Sequence, residues 1–386
     1  MWEADLQKIA REHLLREISV LGSPTGPFMS LDGQKTLQFA SNNYLGLANH
    51  PQLKLAAQEA IEEFGVGAGA SRLISGTSSP HHTLELALAD FTNSEAALTF
   101  SSGYATNLGI IPQLTKHGGL ILADRLCHAS IIDACRLSRA TLRVFRHNDL
   151  EHVQALLAKR PINQPTLLIT EGVFSMDGDL APLTQLVSLA EEFEALLLVD
   201  DAHGTGVMGS TGRGSLEYWE IESANVFHMG TLSKALGTSG GFMTGTKDFI
   251  AYLINTSRSF IYSTAPPPAM AAAAQAAIHL MQQEPERRTR LWENREKMHQ
   301  GLTSMGYQLT KTESPILPIL VKDTELATKM SRLLREKGMY IPAIRPPTVP
   351  KNTSRLRITV TAEHSPEQID SALNAIKQIG QSLHII

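Results

Sequence analysis

The chain has 386 residues, with 34 Lys and Arg against 38 Asp and Glu, and no basic tail or stripe, so the composition offers nothing for nucleic acid to hold. Hydrophobic residues make up 42% and charged residues 19%, a globular balance that predicts one large and one smaller domain. Two cysteines, Cys127 and Cys135, are too few for a disulfide framework; eight positions apart in one expected helix, they are read as unpaired, and a reducing compartment fits.

In chain order, residues 1–18 read as an amphipathic helix whose scattered charges leave no signal-peptide core. "FASNNYLGL" (39–47) reads as a short strand and turn, and helical periodicity resumes from Pro51 to about Glu63. "GVGAGASRLISGTSSPHH" follows as a glycine- and serine-rich connection. Its glycines mimic a dinucleotide loop, but they follow a helix instead of a strand, so that reading fails its context.

The middle of the chain carries short apolar runs at 96–100, 119–124, 141–145, 166–170, 195–200, 225–230 and 240–245, most of them separated by helical stretches such as 106–117 and 183–194. Runs without polar alternation need cover on both faces, which predicts a mostly parallel α/β sheet. Polar residues gather at the carboxyl ends of these runs, where such sheets bind ligands. "AMAAAAQAAIHLM" (269–281) is too short to span a membrane and reads as a closely packed helix. A helix at 286–304, strands at 315–321, 339–344 and 355–361, a helix at 323–337 and a last one from Pro366 predict a smaller α/β domain. The expected division is an N-terminal helix and segment (1–50), a large domain (51–285) and a small C-terminal domain (286–386).

Several residues at the strand ends could carry chemistry. Asp200 closes an apolar run and could orient a cationic nitrogen; His203 follows it, and Asp201 is read as the more superficial of the two carboxylates. Lys234 in "GTLSKALGTSGG" lies beside Thr231 and Ser233 and before glycines that allow close ligand approach, a setting in which an amine could form a Schiff base with an aldehyde cofactor. "TFSSGYATN" predicts a helix starting near Tyr104 or Ala105 whose first amides suit a phosphate. His128 could stack on a planar ring, Glu171 and Ser175 fall just beyond another strand, and Arg345, held before Pro346 and Pro347, suits a carboxylate. No metal site is expected: His81 and His82 are adjacent, and neither HExxH nor a thiolate cluster occurs. The single GxSxG match, "GTSGG" at 237–241, precedes an apolar run instead of following one, so a serine hydrolase is a weak reading.

Taken together and in order, "SNNYLGL", "GAGASRLISGT", "FSSGYATN", "HASIIDACRLSRA", "EGVFSMDGDLAPL", "VDDAHGTGVMGSTGRG", "GTLSKALGTSGG", "FIYSTAPPP" and "RPPTVPKNTSRLRITVTAEH" resemble the α-oxoamine synthase family of pyridoxal-phosphate enzymes, over nearly the whole chain. The resemblance implies the fold-type I PLP-dependent transferase fold, with a mostly parallel seven-stranded sheet in the large domain and a smaller α/β domain. It implies Lys234 as the Schiff-base lysine and Asp200 as the partner of the cofactor's pyridine nitrogen. His128 would lie on the ring, and His203 and Ser175 near its phenolic oxygen. Gly103, Tyr104 and Thr231 would hold the phosphate, joined by Thr264 from a second subunit. Asn42 and Arg345 would address the amino-acid carboxylate, Glu171 would act from behind, and Arg72 receives no role. "AIRPPTVP" tips the resemblance toward decarboxylative condensation of L-alanine with a pimeloyl thioester, carried by coenzyme A or acyl carrier protein, in biotin synthesis. Relatives that join glycine or serine to another acyl-CoA are the alternative. A cytoplasmic homodimer with shared active sites, no nucleic acid and no membrane are expected.

Overall fold

The computed structural model describes residues 2–12, 14–115 and 117–386. Two compact units divide it: residues 50–174 with 180–285, and residues 1–49 with 175–179 and 286–386.

The first of these units holds seven strands. They are β3 (Ala96–Phe100), β4 (Leu120–Asp124), β5 (Thr141–Phe145), β6 (Thr166–Glu171), β7 (Leu196–Asp200), β8 (Val226–Thr231) and β9 (Gly241–Gly245). They form one sheet in the order β3-β9-β8-β7-β6-β4-β5. Only β9 runs against its neighbours, so the carboxyl ends of the other six share one edge. Alternate residues enter two separate cores. Ile121, Ile169, Leu198 and Met229 pack with helices Gly103–Leu114 and Ala129–Leu137. Leu122, Leu168, Leu197 and Val199 pack with helices Leu150–Ala158 and Leu183–Glu192. Cover on both faces is why the strand sequences lack polar alternation. Helix Pro268–Gln283 buries nine residues, five of them alanine, against helices Pro51–Phe64 and Ser79–Phe91. Small side chains permit that close approach.

The other unit is built on two small sheets. Strands β1 (Phe28–Leu31) and β2 (Gln34–Gln38) form an antiparallel hairpin, and β11 (Met339–Tyr340) adds in parallel to β2. Strand β13 (Ser354–Thr359) lies between β10 (Ile316–Lys322) and β12 (Ala343–Ile344). Helices Glu286–Ser304, Thr324–Glu336 and Pro366–Ser382 complete it. The turn 175–179 is tied in by Arg355, whose Nη1 donates to Asp177 Oδ1 at 2.6 Å, and by Glu313, whose amide donates to Gly178 O at 2.9 Å.

Several sequence expectations need correction. The first helix covers Trp2–Arg11 instead of 1–18, and it buries no residue, so nothing extends it; Met1 and His13 lie outside the described residues. Residues 39–47 form no strand: Ser41 Oγ accepts from Asn43 N at 3.1 Å and Asn43 Oδ1 from Ala48 N at 3.1 Å, side-chain bonds that replace a ladder. The 339–344 run is split into β11 and β12. Asp201 is fully buried, for reasons given below.

Candidate active site

The carboxyl edge of the seven-stranded sheet gathers most of the expected residues. Strand β7 ends at Asp200, which is 5% exposed and lies in register with Glu171 on β6. Asp200 Oδ2 accepts from Asn107 Nδ2 at 2.8 Å and Oδ1 accepts from the Ala202 amide at 3.1 Å. Two donors therefore fix the carboxylate. The chain then turns tightly, with Asp201 O accepting from the Gly204 and Thr205 amides at 3.1 and 2.9 Å, and His203 sits in that turn, 6% exposed.

Asp201 sustains this turn from below. Its Oδ1 accepts from Ser215 Oγ at 2.5 Å, and its Oδ2 from the Ser215 amide at 2.7 Å and lies 3.1 Å from His228 Nε2. These three partners compensate the burial of a second carboxylate, which the sequence pattern placed nearer the surface.

His128 caps helix Ala129–Leu137, its Nδ1 accepting from the Ser130 amide at 3.2 Å. Its own amide donates to Glu171 Oε1 at 2.6 Å, so Glu171 sets the start of this helix. The His128 ring keeps an exposed edge, and Tyr104 meets it edge-on with centroids 6.4 Å apart. Desolvation by the surrounding protein lowers the His128 pKa; Asp200 opposes this, Lys234 adds to it, and Asp133 opposes it.

The helix after β3 begins at Gly103, one residue before the expected start, because Ser102 is the N-cap and its Oγ accepts from Ala105 N at 3.0 Å. The amides of Gly103 and Tyr104 lie in the first turn, where a helix has no internal acceptor for them. Thr231, which ends β8, donates to Gly240 O at 2.8 Å and lies 2.8 Å from Ser233 Oγ. Opposite Thr231 in the ladder stands Gly241. A Cβ on Gly241 would lie 2.7 Å from Gly103 Cα and 2.8 Å from Gly103 N, so only glycine lets these backbones meet. The sequence pattern did not single out Gly241 or Asn107; the paired glycine in "TSGG" was the available signal for the first, and nothing in spacing pointed to the second. Lys234 follows in the loop between β8 and β9, half-buried, with Gly237 N donating to its carbonyl at 3.0 Å.

Thr264 is exposed and forms an isolated bridge with Ser71, next to the Ala265 N to Ala70 O bond of 3.0 Å. Arg72 secures that segment: it makes a two-pronged contact with Glu85, 2.9 Å on each arm, and donates to Thr77 Oγ1 at 2.9 Å and Thr99 Oγ1 at 3.0 Å. Its role is structural.

The smaller unit, by itself, holds another group of the expected residues. Arg357, 4% exposed on β13, donates through Nε to Ser175 O at 2.7 Å, through Nη1 to Thr359 Oγ1 at 2.9 Å and through Nη2 to Asn42 Oδ1 at 3.2 Å. Asn42 and Ser175 are thus organised by a residue that nothing in "RLRITVT" marks out. Arg345 is placed differently. Its Nη2 donates to Leu15 O at 3.2 Å, and desolvation, reinforced by Arg16, lowers its pKa. Arg16 in turn reaches Thr348 Oγ1 at 3.5 Å.

The large unit therefore presents unpaired helix-start amides beside two hydroxyls, a buried carboxylate held by two donors, a cap histidine and a lysine. That donor set suits a phosphorylated aromatic aldehyde: amides for the phosphate, a carboxylate for a protonated ring nitrogen, an amine for the aldehyde. Among the described residues no cluster could hold a metal.

Comparison with known proteins agrees. The profile of the aminotransferase class I and II family matches residues 34–376. An 8-amino-7-oxononanoate synthase from Thermoanaerobacter pseudethanolicus is 44% identical over 99% of this chain and 97% of its own. Among solved structures, a serine palmitoyltransferase variant from S. paucimobilis with bound PLP–myriocin aldimine superposes with a TM-score of 0.95 at 35% identity, covering 100% of this chain and 98% of the other. An 8-amino-7-oxononanoate synthase from Francisella tularensis gives 0.79 at 29% identity, over 90% and 99%. The chain belongs to the aminotransferase class I and II family, within its branch of 8-amino-7-oxononanoate synthases. It has the fold-type I architecture, and it is a pyridoxal-phosphate-dependent acyltransferase.

Proposed function

We propose that this enzyme condenses L-alanine with a pimeloyl thioester, releasing carbon dioxide and the thiol carrier, to give 8-amino-7-oxononanoate. The product's chemistry dictates the pieces: its keto carbon is the former thioester carbonyl, and its amine-bearing carbon and terminal methyl are those of alanine after loss of the carboxylate. The observation that carries this reading is the presence of two arginine sites within the smaller unit, Arg357 with Asn42 and Arg345 with Arg16. The two substrates likewise carry two carboxylates, one on alanine and one at the far end of the pimeloyl chain.

Pyridoxal phosphate supplies the electron sink for bond-breaking at the amino-acid α-carbon. The chain's own residues do the rest. Lys234 would hold the cofactor through its aldehyde carbon, and its amine would remove the α-proton of bound alanine and later return one. Asp200, held by Asn107 and Ala202, would keep a proton on the cofactor's ring nitrogen and so stabilise the negative charge that develops. The Gly103 and Tyr104 amides and the Thr231 hydroxyl would bind the phosphate, and Thr264 would join them from a second subunit. His203 and Ser175 would address the phenolic oxygen, and His128 would lie on the ring. Arg357 is assigned to the alanine carboxylate with Asn42, because it, unlike Arg345, is bonded to Asn42; Arg345 and Arg16 are assigned to the distal carboxylate.

The enzyme is proposed to act as a homodimer in the cytoplasm, with the acyl group on coenzyme A or acyl carrier protein. Among the described residues no helix is long and apolar enough to cross a membrane. The structural similarity to a serine palmitoyltransferase favours a second reading, serine with a long-chain acyl-CoA. That donor has no distal carboxylate, so it offers nothing for Arg345 and Arg16 to bind. A panel of alanine, glycine and serine against pimeloyl-CoA, acetyl-CoA and palmitoyl-CoA separates them: turnover confined to alanine with pimeloyl-CoA is expected, and turnover preferring serine with palmitoyl-CoA overturns the proposal.

A further inference from the structure

A chain of hydrogen bonds joins Asp200 to His128 through two residues that bear no reactive group. Asn107, 1% exposed, places Nδ2 2.8 Å from Asp200 Oδ2 and 2.9 Å from Ser130 Oγ. Ser130, also 1% exposed, places Oγ 2.8 Å from His128 Nδ1, and its amide lies 3.2 Å from the same nitrogen.

Donor and acceptor chemistry fixes the direction of every link. A carboxylate oxygen only accepts, so Asn107 must turn its amide nitrogen toward Asp200; the flipped rotamer would set oxygen against oxygen. The second hydrogen of that nitrogen is then directed at Ser130 Oγ. The Ser130 amide donates to His128 Nδ1, which makes that nitrogen an acceptor, so the Ser130 hydroxyl, with a lone pair taken by Asn107, turns its hydrogen to Nδ1 as well. Nδ1 therefore accepts from two donors, and the ring proton resides on Nε2. Asn107 Oδ1, buried and without a hydrogen-bond partner, is the cost of this orientation, and the two bonds made by Nδ2 are what hold the amide against it.

We propose that Asn107 and Ser130 are positioning residues that couple Asp200 to His128 and hold His128 as the neutral tautomer protonated on Nε2. The part of this that concerns Asp200 rests on its proposed place at the cofactor's ring nitrogen. The groups facing His128 are Asp200 and Asp133, which favour its charged form, Lys234, which disfavours it, Tyr104, which meets its ring edge-on, and Glu171, which takes its backbone amide. Against the two carboxylates, the paired donors on Nδ1 and the desolvation of the ring keep it neutral. A neutral imidazole adds no positive charge beside a ring whose own protonation Asp200 is placed to maintain.

The test is nitrogen-15 NMR of full-length protein labelled at histidine, stripped and then loaded with pyridoxal phosphate, with His128 assigned by its loss in His128→Gln. Wild type should show Nδ1 as a bare acceptor and Nε2 protonated. Ser130→Ala removes one donor and should mix the tautomers and raise the His128 titration midpoint; Ser130→Thr keeps the hydroxyl and should restore both. Asn107→Ala should move the same midpoint and weaken cofactor binding by about tenfold, the loss expected for one hydrogen bond to a charged group. If Asn107→Ala does not fold, the two Ser130 variants still decide. An Nδ1-protonated ring in wild type, or an unchanged tautomer and midpoint in Ser130→Ala, overturns the proposal. Asp200→Ala that still bound cofactor and turned over normally would instead sink the assignment of Asp200, while the tautomer read on stripped protein would stand.

Discussion

Adding one methyl group at Gly241 tests whether the close meeting of β9 with the helix start at Gly103 builds the phosphate site. The new Cβ would lie 2.7 Å from Gly103 Cα and 2.8 Å from Gly103 N. Carbon–carbon contacts are comfortable only from about 3.5 Å, so the two backbones must part by roughly 0.8 Å. Overpacking of this kind costs about 1–3 kcal/mol, and here the Gly103 backbone must give way as well as the Thr106 hydroxyl, which the new Cβ would also meet. The displaced groups include the amides proposed to bind phosphate. Loss of one charged hydrogen bond, about 1.5–3 kcal/mol, weakens binding by about tenfold or more. Titrating stripped Gly241→Ala with pyridoxal phosphate, followed by absorbance, should show that weakening together with a lower thermal midpoint. Gly67→Ala is the control: its Cβ would meet nothing within 4 Å, so affinity should not change. A Gly241→Ala protein with wild-type affinity would refute the packing argument.

Other variants probe separate parts of the account. Lys234→Ala should abolish both turnover and the covalent cofactor, read by mass spectrometry after borohydride reduction. Arg357→Lys loses the fork that reaches Asn42 and Ser175 O, and it should raise KM for alanine about tenfold while changing KM for the thioester little. Asp201→Ala would leave Ser215 and His228 without their buried acceptor and should cost several kcal/mol, at about 1–3 per stranded group, seen as a fall in thermal midpoint. His364 is buried against Phe39, with Gln38 O at 2.8 Å, and burial pushes its pKa down to about 4 from an ordinary 6.5. Below pH 6.5 the unfolded chain takes up the proton and the folded chain does not. Stability present above that pH is thus lost as pH falls toward 4, by about 3 kcal/mol in total. His364→Gln should flatten that part of the urea-denaturation pH profile; an unchanged slope would count against it.

The sheet was legible because its strands are apolar on both faces: β3 to β9 lie within a residue of the runs read from the sequence. Helix Glu286–Ser304 matched for the same kind of reason, a sustained helical stretch free of proline. The hairpin β1–β2 was not seen, since "SLDGQKT" is polar and the pairing is fixed by neighbours distant in sequence. Lys234, Asp200 and His128 could be singled out because each stands at an apolar strand's end or beside glycines. Asp201 was misjudged because its compensation comes from Ser215 and His228, remote in the chain. Asn107 and Arg357 were missed for the same reason: each is an ordinary residue inside an element, and only the fold brings it to Asp200 or Asn42. Local pattern finds reactive groups; the residues that aim them become visible only in three dimensions.

The most direct measurement uses L-alanine labelled with carbon-13 in its carboxyl group, incubated with pimeloyl-CoA and the cofactor-loaded enzyme. Labelled carbon dioxide released one for one with unlabelled 8-amino-7-oxononanoate is the predicted result. Retention of the label in the product, or no product from alanine while serine or glycine turns over with another acyl-CoA, would contradict the account.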